Sequence, residues 1–131
     1  MRGIFSSVLA LAIMLAACGG GDNRDSGVRV EDEDAGSIVR LSPGDVLVVE
    51  LDGNPSTGYD WHVRNVDSNV LRQEGENDFE PERDAPGSPG IVTLRFVAVR
   101  AGSTTLDLAY YRSFEPDADP LRTFQIFVEV R

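Results

Sequence analysis

Apolar and polar residues alternate with period two along much of the chain beyond residue 37. Such alternation sets one face of a strand on a core and leaves the other in water. Tyr59, Trp61 and Val63 share one face, with Asp60, His62 and Arg64 opposite. Val92, Leu94, Phe96 and Ala98 form a second apolar face, and Leu106, Leu108 and Tyr110 a third. Phe124, Ile126, Val128 and Val130 alternate with Gln125, Glu129 and Arg131 near the end. The run from Asp45 to Leu51 is more continuously apolar, as expected of a central strand. No comparable window shows the 3.6-residue period of a helix. Turn signals at Ser42-Pro43-Gly44, Gly53-Asn54-Pro55, Asp67-Ser68-Asn69 and Ala101-Gly102-Ser103 separate the runs. The pattern predicts an all-β fold, an immunoglobulin-like antiparallel sandwich of about seven short strands over residues 37–131.

If consecutive strands run antiparallel, the connections sort by end. The strand over 45–52 leads to a loop at 53–58, and the next strand descends to a turn at 67–69. A rising strand over 70–74 puts the long connection 75–90 at the same end as the first loop. The strand over 91–99 descends to a tight turn at 100–103, and the last rising strand reaches a loop at 113–120. All three long connections therefore share one end, the arrangement by which sandwich domains present binding loops.

Before the sandwich the pattern changes twice. After Met1-Arg2, residues Ile4 to Ala17 are an almost unbroken apolar run. It is shorter than the ~20 residues of a membrane-spanning helix and fits a secretory signal. It closes on Leu15-Ala16-Ala17-Cys18 and three glycines, which resembles a bacterial lipobox. That resemblance implies a signal peptide over 1–17 and a diacylated Cys18 as the new N-terminus. The anchor would be in the cell envelope, at the outer membrane if there is one, since Gly19 follows the cysteine. Two or three acyl chains hold a protein stably on a bilayer. Residues 19–36 are polar, glycine-rich and acidic, and read as a flexible tether reaching about 23 Å.

Composition narrows the function. The formal net charge is −10, and all 12 basic residues are arginine. So negative a chain lacks the basic face that nucleic acid requires. One cysteine excludes an internal disulfide framework, and one histidine leaves little for metal or His-based catalysis. The sequence therefore predicts no enzyme, cofactor or metal. His62, on an outward face between Asp60 and Arg64, reads as a solvated surface residue. The acidic stretches 74–84 and 117–119 lack the ligand spacing of a calcium loop and read as solvated loops.

The first loop, Asn54-Pro55-Ser56-Thr57-Gly58-Tyr59, is richer than a β-turn requires. It resembles the Asn-Pro-Thr-Thr-Gly-Tyr/Phe hallmark of the chagasin-type inhibitors of papain-like cysteine proteases, with Ser56 for one threonine. That family presents two further loops on the same end of an immunoglobulin-like sandwich. Gly87-Ser88-Pro89-Gly90 matches its glycine-rich loop, with Pro89 at a position usually more flexible. Arg112-Ser113-Phe114, after Tyr111, matches its Arg-Pro-Trp loop, with Ser113-Phe114 in place of Pro-Trp. The resemblance covers roughly residues 37–131. It implies a reversible steric wedge in the protease cleft, with Ser56 and Thr57 nearest the catalytic cysteine and histidine. Arg112 and Phe114 would lie on the primed side, and Gly87 to Gly90 on the other flank. The implied partners are a papain-like cysteine protease and, through Cys18, a membrane, with the inhibitor itself a monomer. A second reading keeps the sandwich but has it recognise another envelope protein or a glycan.

Overall fold

The computed structural model describes residues 27–131, so the apolar run, Cys18 and the residues up to 26 lie outside it. Nine strands form two facing sheets. In chain order they are β1 (Gly27–Glu31), β2 (Ile38–Leu41), β3 (Val46–Gly53), β4 (Tyr59–Asn65), β5 (Leu71–Gln73), β6 (Asp78–Pro81), β7 (Gly90–Ala98), β8 (Gly102–Arg112) and β9 (Arg122–Val130). One sheet runs β1-β3-β7-β5, with β6 also on β7, and the other runs β2-β9-β8-β4.

The alternating faces become the core. Trp61, Leu94, Phe96, Leu106, Leu108 and Ile126 are buried between the sheets, as are Leu47, Val49 and Leu51 of the central strand β3. Burying whole Leu, Ile and Phe side chains contributes about 1.5–3 kcal/mol each, and no cysteine lies among the described residues to add a cross-link. Indole and phenol groups sit at one end of this core. Trp61 and Tyr110 ring centroids are 5.0 Å apart, and Tyr59 stacks on Tyr110 at 5.4 Å.

Two expectations change. Residues 27–31 already belong to the fold, ahead of the expected start at Ser37, because they pair in parallel with β3, from Gly27 beside Val46 to Glu31 beside Glu50. Val28 and Val30 supply the apolar face; Val30 is buried, and only two such residues show inside a long acidic run. The chain then turns through a single 3-10 turn at Asp32–Asp34 and crosses to the other sheet, where β2 lies parallel to β9. Both N-terminal pairings are parallel, and all the others are antiparallel.

The second change concerns residues 75–90, expected to be one loop. Residues 78–81 form β6, which continues the edge begun by β5 along the same partner, β7. Its four residues are all exposed, so no apolar alternation marks it; backbone pairing and an Asp78–Arg95 ion pair at 2.7 Å hold it. The loop proper is 82–89. It stays at the predicted end, since Pro81 pairs with Gly90 and Gly90 with Gly53.

Candidate functional site

Three connections meet where β3, β7 and β8 have their loop-side ends: 54–58, 82–89 and 113–121. The first is a single 3-10 turn at Pro55–Thr57, and Asn54 organises it. Its Oδ1 accepts from Ser56 N at 3.2 Å and from Ser56 Oγ at 2.6 Å, while its carbonyl accepts from Thr57 Oγ1 at 2.6 Å. Pro55 takes the first helical position, where a missing N–H costs nothing. Gly58 ends the turn at φ 88°, a left-handed conformation that a β-carbon disfavours. The result is an exposed tip of Pro55, Ser56 and Thr57 whose hydroxyls are already bonded to its own backbone and amide. Such a loop gives up little conformational freedom on binding.

The tip rests on aromatic pillars. Tyr110 Oη accepts a hydrogen bond from Asn54 N at 2.8 Å, and Trp61 Nε1 donates to the Asp52 carbonyl at 3.0 Å. Arg122 Nη1 donates to that same carbonyl at 3.0 Å, and its Nη2 forms an ion pair with Asp32 at 2.8 Å. The Arg122 guanidinium also lies 5.1 Å from the Trp61 ring. Tyr110 and Arg122 escaped the motif reading because they lie in strands outside the loops. The signal for Tyr110 was present: a phenol on an inward face needs a partner for its hydroxyl.

The loops are also tied to each other. Asn54 Nδ2 donates to the Gly87 carbonyl at 3.2 Å, joining the first loop to the second. Arg112 Nε donates to the Thr57 carbonyl at 3.2 Å and its guanidinium sits 4.6 Å over the Tyr59 ring, joining the third to the first. Phe114 is 72% exposed, yet the edge of its ring lies against Gly58: a β-carbon there would be 3.2 Å from it. Arg112 further pairs with Glu115 at 3.5 Å.

In the second loop the candidate residues divide. Gly87 and Pro89 are exposed, but Ser88 and Gly90 are turned inward. Ser88 Oγ accepts from Arg83 N at 3.1 Å and donates to the Pro89 carbonyl at 2.8 Å, so it fixes the loop's shape and offers little surface to a partner. Gly90 is packed so closely that a β-carbon would run into the Glu80 carbonyl. Ser113 is exposed, with its Oγ 3.5 Å from His62 Nε2. His62 itself is half-buried, stacked on Tyr111 with centroids 4.0 Å apart, not simply solvated as its sequence position suggests. Among the described residues, no group of three or more His, Cys, Asp or Glu side chains is placed to hold a metal ion.

A disulfide-free sandwich with three mutually fastened loops at one end is the architecture of a loop-presenting inhibitor or binding domain. Comparison supplies the family: the description "Chagasin family peptidase inhibitor I42" matches residues 40–128, and the chain belongs to that family. It is similar to Amoebiasin-2 of Entamoeba histolytica, 29% identical over 105 residues, which is 79% of this chain and 85% of that protein. Among solved structures it resembles the cysteine protease inhibitor EhICP2 of Entamoeba histolytica, with a TM-score of 0.68 and 24% identity over 80% of this chain and 95% of that one. It also resembles PbICP-C, solved in complex with falcipain-2, with a TM-score of 0.51 and 19% identity over 87% and 96% of the two chains. These structural likenesses establish the fold.

Proposed function

We propose that the protein is a reversible inhibitor of papain-like cysteine proteases, held on the bacterial cell envelope by lipid on Cys18. The three loops enter the active-site cleft as one wedge. Pro55, Ser56 and Thr57 form its tip and block the catalytic cysteine and histidine. Arg112, Ser113 and Phe114 cover one flank, while Gly87 and Pro89 cover the other. No bond to the protease forms; exclusion of substrate is sufficient. The observation that carries this reading is the fastening of the loops before any partner arrives: Asn54 to Gly87, Arg112 to Thr57 and Phe114 against Gly58. A preorganised wedge puts its contact energy into affinity, on an interface of about 800 Å² per partner. Family membership and a relative solved on falcipain-2 point to the same class of target.

Titration of papain with the protein tests this. Competitive, reversible inhibition is expected, with trypsin-like and metal-dependent proteases unaffected. A folded protein that leaves several papain-like proteases uninhibited at micromolar concentration would overturn it and favour recognition of another envelope protein or a glycan.

A further inference from the structure

The direction of β1 determines where an anchored molecule points. β1 runs parallel to β3, and Gly27 lies beside Val46, just past the turn at 42–45. That turn belongs to the end opposite the three loops, since β3 reaches the loop end only at Gly53. The chain therefore enters the sandwich at the far end from the wedge. The seven steps of β3 from Val46 to Gly53 separate the two ends by about 23 Å at ~3.3 Å per residue.

Only residues 19–26 remain between Cys18 and Gly27. Fully extended, the link from Cys18 to Gly27 spans at most about 30 Å, and as a flexible coil about 17 Å. Turning the loops toward the bilayer would lift Gly27 by at least ~23 Å, beyond the coil span of that link and most of its full extension. A protease domain of some 200 residues, roughly 40 Å across, would still have no room between the loops and the lipid. Charge acts in the same sense. The two flanking loops carry Glu82, Asp84, Glu115, Asp117 and Asp119 against Arg83 and, at the base of the third loop, Arg112, and an anionic lipid surface repels such an end.

We propose that β1 holds the anchored molecule with its three loops facing away from the membrane, so that it captures papain-like proteases free in the aqueous space and spares those bound closely to the same bilayer. This rests on the lipid-anchored inhibitor reading above. The test uses the acyl-processed protein in vesicles whose headgroups carry a fluorescence acceptor for tryptophan. Adding a tryptophan at the far end, Ser68→Trp, should raise energy transfer at least about twofold more than adding one at the wedge, Phe114→Trp, given the separation along β3. Equal increments, or a larger one for Phe114→Trp, would overturn the orientation. Failure of the processed protein to stay on vesicles would overturn it too, by removing the anchor. Soluble papain should be inhibited by the vesicle-bound protein as well as by the same protein released in detergent. Inhibition appearing only after release refutes the outward orientation, whereas absence in both states refutes the inhibitor reading instead.

Discussion

At Gly58 the backbone lies at φ 88°, and an added methyl group would also stand 3.2 Å from the Phe114 ring. Gly58→Ala therefore strains the turn and displaces the third loop together. A strained backbone position costs about 1–3 kcal/mol, and 1.4 kcal/mol is tenfold in affinity. Inhibition of papain should weaken by about tenfold or more, with the far-ultraviolet circular dichroism unchanged; an unaltered inhibition constant would show that the tip tolerates another shape. Tyr110 makes a different contribution. Its hydroxyl is the acceptor for Asn54 N, so Tyr110→Phe leaves a half-buried donor without a partner, at about 1–3 kcal/mol. Melting temperature and affinity should both fall, whereas a purely local loss at the tip would leave melting unchanged. Phe114 is mostly exposed in the free protein, so Phe114→Ala should spare the melting temperature and weaken inhibition by less than Gly58→Ala.

Among the elements, β1 shows what periodicity reveals and what it hides. The long strands β7, β8 and β9 were legible because alternation over many residues is hard to produce by chance. β1 offered only Val28 and Val30 among charges, and β6 offered no alternation, because both lie on sheet edges where backbone pairing does most of the holding. Removing the Val30 side chain, Val30→Ala, should lower stability by roughly 0.5–3 kcal/mol, in the usual range for a buried truncation. A melting transition that does not move would mean β1 is not docked in solution. Docking also crowds carboxylates. The Glu31 pKa is raised from the ordinary glutamate value, first by the charge of Glu33, then by desolvation and by Glu50 and Asp34. The folded state therefore binds that proton more readily than the unfolded one, so this contribution to stability falls as pH rises through and above the ordinary glutamate range. Glu31→Gln should raise the melting temperature at neutral pH and lose that advantage below the ordinary glutamate pKa. An equal gain at both pH values would show that the cause is not ionisation.

Across the whole molecule, the clustering of the loops was readable from strand parity, and the first loop from its own residues. The ties between loops were not, because Asn54 to Gly87 and Arg112 to Thr57 span 33 and 55 positions and follow from the strand pairings that set Gly53 beside Gly90 and Tyr59 beside Arg112. Parity also concealed how charge is distributed. The uncharged tip, Pro55 to Thr57, stands between flanking loops with five carboxylates against Arg83 and Arg112, while the turns at the opposite end carry Asp45 and Asp67 against Arg100. Of those five carboxylates, only Glu115 has an ion-pair partner among the described residues. On the proposed function, the wedge would approach its target inside a negative field but make its central contacts with neutral groups. Long-range charge acts on the rate of encounter, whereas the desolvated centre of an interface determines how long the complex lasts. Salt shortens the reach of the field, to about 10 Å at 0.1 M and about 3 Å at 1 M. With a papain-like protease of basic surface, raising the salt should slow association several-fold and leave dissociation nearly unchanged. With a protease of acidic surface, added salt should speed association instead. Replacing Glu82 and Asp84 by Gln and Asn should shrink both effects without altering dissociation, and stopped-flow or surface-binding kinetics would read each rate directly. If dissociation carries the salt dependence and association does not, the flanking carboxylates are contact residues and the division between rim and tip is wrong.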